Sequence, residues 1–322
     1  MALSPRDRAR AFMASLAMPD EAAAARLHEA TDIDYWRRLN PQLSIGSPRH
    51  PSIAEGRPWS PVELDSRVAH MARAGYLQAA PFGDPDVIAA LHLGVERIRE
   101  AGWPPVFLFV YDQVWDLART PSVQALLRAV LGPGYREDTL VWCFHVAPKA
   151  GASGWAPHFD GPEKSNRMTV WFPLTDATLD NGCMYVVPDG ALPASISNEG
   201  GEVAVNWSDL SAVLRSARAL PCAAGGMLGW RFHVLHWSSV VVDATTPRIS
   251  VAMEFLGADV TPVPLEEPLI DPTVRPESFH TRLYAIGKSL RIYIRFEPWL
   301  APFANVAQRL EEDYRPPAGG TI

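Results

Sequence analysis

The spacing of apolar residues changes midway along the chain. Residues 5–40 read as short amphipathic helices, with Pro19-Asp20 and Thr31-Asp32 as start signals ahead of Glu21 and Tyr35-Trp36. The turn-rich stretch Ser47–Ser52, followed by Gly56-Arg57-Pro58, cannot continue a helix. Two further helices are predicted over 61–77 and 84–101, the second opened by Asp84-Pro85 and closed by Gly102. Another runs near 121–131 and stops at Gly132-Pro133-Gly134. From about residue 138 the texture becomes short β-branched and aromatic runs separated by Gly, Pro, Asn and Asp, as in an antiparallel sandwich or barrel. Strands are predicted over 139–146, 167–173, 183–188, 202–206, 227–232, 237–242 and 248–256. The segment Leu290–Phe296 alternates strictly and predicts one more strand, with a terminal helix over 299–314.

Composition narrows the class. With 322 residues, 48% hydrophobic and 20% charged, the chain can bury a large core and is not disordered. A net charge of −7 gives no basic footprint for nucleic acid or anionic lipid, so a small molecule is the expected partner. Cys143, Cys183 and Cys222 form no CxxC pair and suggest neither a disulfide framework nor a thiolate zinc site, which fits a cytoplasmic protein. The Ala-rich stretch Ala11–Ala30 is interrupted by Asp20, Glu21, Arg26 and Glu29, so it reads neither as a signal-peptide core nor as a membrane span. Oligomeric state leaves no trace in the sequence.

The chemistry concentrates in three places. In Trp155–Pro162, His158 and Asp160 stand two positions apart, so on extended backbone both project to one face and can share a metal. A third ligand is available in Phe232–Ser238, from His233 or His236. Two imidazoles and one carboxylate leave three positions open on iron, as a bidentate cosubstrate plus O₂ requires. An HxD pair alone is a weak signal, and a structural hydrogen-bonded pair is the bland alternative. Arg248 strengthens the metal reading, because a fixed guanidinium is the natural fork for the distal carboxylate of an oxoacid cosubstrate. The apolar stretch Ile249–Phe255 behind it argues against a surface salt bridge, and Ser238 shares a strand face with His236 in position to help.

These residues resemble the phytanoyl-CoA dioxygenase family of Fe(II)/2-oxoglutarate-dependent oxygenases. The most specific stretch is Met168–Pro188, which is similar to that family's strand, loop, Asn-Gly turn and Pro-ended strand. His236-Trp237-Ser238 matches the family's His-Gly-Ser except at Trp237, and the lead-in with Ala74-Gly75-Tyr76 and Leu131-Gly132 is also similar. The resemblance covers residues 61–256. It implies a mostly-β double-stranded β-helix, a jelly-roll or cupin-like core with helical lead-in, flanked by an N-terminal helical extension over 1–60 and a C-terminal extension over 257–322 that packs on the core. It chooses His236 over His233, so that His158, Asp160 and His236 hold Fe(II) while Arg248, Ser238 and Thr169 hold 2-oxoglutarate. The implied reaction hydroxylates an unactivated C–H bond of a small molecule with O₂, releasing succinate and CO₂. The same site could instead serve epimerisation, desaturation or cyclisation, and a non-catalytic binding barrel is the remaining alternative. Relatives that halogenate lack the carboxylate present here as Asp160.

His145, Trp155, Trp171 and Trp237 are further pocket candidates, for each of which core packing is an equal alternative; Trp230 also lies near the expected site. His233 reads as structural, and Asn181-Gly182 as a tight hairpin turn with φ > 0. The substrate is not legible, since specificity is expected in loops such as 190–224 and 257–288.

Overall fold

The computed structural model describes residues 16, 18–46, 54–161, 165–192, 196, 207–276 and 278–317. Residues 5–15 of the first helical stretch and the strand expected over 202–206 lie outside the described residues.

Local chemistry sets the helical boundaries. Helices α1 (Asp20–Thr31) and α2 (Ile33–Leu39) are separated by Asp32, whose carboxylate accepts from the Asp34 amide at 2.9 Å. Helix α3 (Pro61–Ala74) begins with a capping box between Ser60 and Glu63 and ends at Gly75, whose φ of 74° stops it three residues short of the predicted boundary. The strand β1 (Tyr76–Ala79) starts there instead. Asp84 caps α4 (Pro85–Glu100) by accepting from the Asp86 and Val87 amides. A buried 3₁₀ turn over Pro105–Val110 and the helices α5 (Asp112–Arg119) and α6 (Pro121–Leu131) complete the lead-in. The first two of these were not expected: Pro105–Val110 is apolar throughout, and Asp112–Arg119 is only eight residues long, its polar face buried in ion pairs with Glu137, Arg275 and Arg282.

Strands β2 (Arg136–Val146), β3 (Arg167–Pro173), β4 (Met184–Val186), β5 (Arg218–Leu220), β6 (Met227–Arg231), β7 (His236–Ser238) and β8 (Arg248–Leu256) follow, with α7 (Trp207–Ser216) between β4 and β5. They form two antiparallel sheets, one ordered β1-β6-β3-β8-β2 and a smaller one ordered β5-β4-β7. On β3 and β8 the period of two sorts the side chains. Met168, Val170, Phe172, Ile249, Val251, Met253 and Phe255 enter the main core, while Thr169, Trp171, Arg248, Ala252 and Glu254 line a cavity that the smaller sheet also borders through Met184, His236 and Ser238.

Three expectations are corrected. Leu290–Phe296 is not a strand: Leu290 to Tyr293 belong to helix α8 (Phe279–Tyr293), capped by Ser278, which buries Leu283, Ile286, Leu290 and Tyr293 at helical spacing. The alternation of Leu290, Ile292, Ile294 and Phe296 with Arg291, Tyr293 and Arg295 spans the last turn of the helix and the three residues after it. The terminal helix is split into a 3₁₀ turn (Pro298–Phe303) and α9 (Ala304–Asp313). Asn181-Gly182 is not a two-residue hairpin, since β3 and β4 lie in different sheets and only Gly182 has positive φ, at 92°. Asn181 instead pins its loop, accepting from the Thr178 amide at 2.7 Å and donating to the Asp176 carbonyl at 2.6 Å.

Charged side chains tie the helical layer to the sheet. Arg119 at the end of α5 pairs with Glu137 of β2 at 2.6 Å with both side chains sealed from solvent, and Arg282 of α8 pairs with Asp112 at 2.7 Å. Among the described residues, no helix is long and apolar enough to cross a membrane. The three cysteines are free and buried.

Candidate metal centre

The cavity between the sheets gathers the residues that the sequence singled out. The segment carrying His158 and Asp160 is laid against the β7 strand by a pair of backbone hydrogen bonds, His158 to His236 and His236 to His158, each 3.0 Å. The Asp160 amide donates to the Phe232 carbonyl at 3.1 Å. This rung brings the two imidazoles to a ring separation of 4.2 Å. One Asp160 oxygen, Oδ1, faces them both, 3.7 Å from His158 Nε2 and 3.5 Å from His236 Nε2. All three ligand atoms lie within 4.8 Å of one another.

Each donor is presented in the state that a metal needs. His158 Nδ1 lies 2.7 Å from the Ala156 carbonyl and His236 Nδ1 3.0 Å from the Val234 carbonyl. A carbonyl only accepts, so Nδ1 carries a proton in both rings and Nε2 is the atom turned toward Asp160. Burial pulls the His236 pKa down to about 4, which keeps the ring neutral at physiological pH. The second Asp160 oxygen is held by Thr169 Oγ1 at 2.5 Å and Trp230 Nε1 at 2.7 Å. Burial alone would raise the Asp160 pKa, but His236, His158 and these two hydrogen bonds together hold it below the ordinary carboxylate value. The set is two imidazoles and one carboxylate, oriented by outer hydrogen bonds, which suits a first-row divalent metal and leaves it open positions.

Arg248 stands at the other end of the same wall. It is 1% exposed, its two terminal nitrogens donate to Ser250 Oγ and Ser238 Oγ at 3.1 Å each, and its Nε has no partner. Among the described residues no carboxylate pairs with it. Burial lowers its pKa to about 10, so it keeps its charge at neutral pH. A buried guanidinium with an unused donor and no counter-ion, in a cavity that also holds a metal triad, fits a carboxylate ligand. Gly154 makes room for it, since a Cβ there would come within 2.7 Å of the guanidinium and 2.8 Å of Ser238 Cβ. β7 and β8 are not neighbours in one sheet, and Ser238 meets Arg248 across the cavity from the opposing sheet.

The other candidates divide. Thr169 sits on Asp160, and Trp155 and Trp171 line the cavity. His145 and Trp237 do not. His145 points away to Glu96 and Arg99 on the outer side of β2, at 3.3 and 2.8 Å. Trp237, in the middle of the β7 triplet, projects opposite to His236 and Ser238 and stacks on Tyr185 with centroids 5.6 Å apart. His233 lies 3.3 Å from Asp189 and takes no part in the triad. Sequence reasoning missed Glu254 and Tyr293 in the cavity wall, and Ser250, which accepts from Arg248 behind it. Counting by twos from Arg248 along β8 would have found Ser250 and Glu254.

Fold and site together define the class. Residues 106–242 match the phytanoyl-CoA dioxygenase family model, which bears out the resemblance read from the sequence. Among solved structures, the non-heme monooxygenase ThoJ in its apo form superposes with a TM-score of 0.52 at 18% identity, covering 78% of this chain and 99% of that one. The non-heme alpha ketoglutarate dependent carbocyclase SnoK from nogalamycin biosynthesis gives 0.51 at 18% identity, covering 65% and 90%. At such identity they share the fold. No curated protein matches the chain by sequence.

Proposed function

We propose that this chain is a 2-oxoglutarate-dependent non-haem iron dioxygenase that hydroxylates an unactivated C–H bond of a small-molecule substrate. The observation that carries this reading is the pairing, in one cavity, of the His158–Asp160–His236 triad with Arg248, a buried cation that has no counter-ion among the described residues. His158, Asp160 and His236 would hold the Fe(II). Arg248 would grip the distal carboxylate of 2-oxoglutarate through its planar fork, oriented by Ser238 and Ser250. When bound, iron with 2-oxoglutarate and O₂ supplies the oxidising equivalent, with release of succinate and CO₂. Thr169 and Trp230 keep one Asp160 oxygen occupied, so that the other remains directed at the metal. Trp155, Trp171 and Phe144 wall the cavity with apolar surface that excludes bulk water. The same site could serve epimerisation, desaturation or cyclisation, and the carbocyclase among the similar folds keeps that second reading in view. The three separate, free cysteines support a cytoplasmic location.

The test compares two histidines three residues apart. Purified His236→Ala should lose Fe(II) binding and the slow formation of succinate from 2-oxoglutarate that occurs without substrate. His233→Ala should retain both, since an outer hydrogen-bonding residue costs at most about 10- to 100-fold. Loss in His233→Ala with retention in His236→Ala would overturn the ligand assignment.

A further inference from the structure

Glu254 lies six residues beyond Arg248 on β8, so it projects into the same cavity, directly across from Thr169 on β3. Among the described residues its carboxylate makes no hydrogen bond or ion pair. The charges nearest to it are already matched. Arg167 closes a two-pronged pair on Glu266, Lys288 faces Asp138 at 3.7 Å and donates to Thr139, and Asp160 is committed to the two imidazoles. If the cavity is an iron and 2-oxoglutarate site, the metal and Arg248 balance Asp160 and the dicarboxylate charge for charge, and Glu254 still stands alone. Burial, reinforced by the charge of Asp160, pushes its pKa well above the ordinary carboxylate range, so its ionisation depends on a cation beside it.

Its surroundings point to what would match it. Tyr293 lines the same cavity at 8% exposure, and its phenol has no hydrogen-bond partner among the described residues. Tyr293 is close enough to Glu254 to feel its charge, and the Trp155 ring packs on Tyr293 at 5.1 Å, so two aromatic rings stand on this side of the cavity. An unmatched carboxylate within aromatic walls is the recognition chemistry of an organic cation, which gains a charge-assisted hydrogen bond and cation–π contact together. We propose that Glu254, assisted by Tyr293 and the face of Trp155, binds a protonated amine of the substrate and so fixes which carbon lies beside the triad. This inference rests on the oxygenase reading and specifies its substrate class: a compound with a basic nitrogen.

The experiment uses the full-length chain, with and without redox-inert Zn(II) and saturating 2-oxoglutarate, and three probes of matched size: cyclohexylammonium, cyclohexanol and cyclohexanecarboxylate. Binding is followed by calorimetry and by ligand-observed NMR. The wild type should prefer the ammonium probe by about tenfold or more, the range expected for a hydrogen bond to a charged group. Glu254→Gln should erase that preference, Glu254→Asp should restore part of it, and both should bind Zn(II) as the wild type does. Equal binding of the three probes by the wild type, or no binding of any, overturns the proposal, even if Glu254→Gln fails to fold. So does loss of Zn(II) binding in a folded Glu254→Gln, which would make Glu254 a metal ligand. Ammonium selectivity without any Zn(II) or 2-oxoglutarate binding would sink the oxygenase reading and leave the cation site standing.

Discussion

At the residue scale the account turns on Arg248. A fully buried guanidinium held by two serine hydroxyls is costly unless a ligand completes it. Removing one partner of a buried charge pair costs on the order of 3–5 kcal/mol, or two to four decades in affinity. Arg248→Ala should therefore raise the 2-oxoglutarate concentration required by at least about a hundredfold while leaving metal binding nearly intact. Arg248→Lys should recover only part of the loss, because a point charge cannot reproduce the planar fork. Paired titrations of metal and cosubstrate on both variants check this. Unchanged cosubstrate affinity in the alanine variant would mean that another cation anchors the oxoacid. His158, Asp160 and Arg248 could be picked out from the sequence because each is a reactive residue type at a spacing that fixes its face, whereas the choice of His236 over His233 came from the family resemblance. Trp237 and His145 were placed wrongly for the same reason in reverse: proximity in sequence put them near the site, and the strand period turned them away from it.

At the scale of elements, the strands that build the cavity were the easiest to read. β3 and β8 match their predicted limits, since a core face and a cavity face force regular alternation over seven and nine residues. The short β4 and β7 triplets sit inside broader apolar runs, which blurred their ends. Tyr293 was out of reach, because it enters the cavity from α8, a helix far from the site in sequence whose last turn mimics a strand. The lead-in helices are joined to β2 by the Arg119–Glu137 pair, in which both side chains are 0% exposed. Arg119 also donates to the Val274 carbonyl at 2.7 Å, so it links three segments. Arg119→Ala should destabilise the fold by roughly 3–5 kcal/mol, because it leaves a buried carboxylate unmatched. Urea denaturation of the metal-free protein measures this, and a change below about 1 kcal/mol would mean that Glu137 is already protonated and needs no partner.

At the scale of the whole molecule, two sheets of unequal size enclose one cavity, whose wall runs from a lone cation at Arg248, past the triad, to a lone carboxylate at Glu254. Among the described residues neither Arg248 nor Glu254 has an ionic partner, and the His158–Asp160–His236 triad lies between them. The most direct test of that claim is an anaerobic optical titration of the purified chain, first with Fe(II) and then with 2-oxoglutarate. One Fe(II) should bind per chain without a visible band, and 2-oxoglutarate should then produce the weak visible charge-transfer band of an iron–oxoacid chelate, saturating at one equivalent. Iron bound at one per chain with no band on adding 2-oxoglutarate would contradict the account.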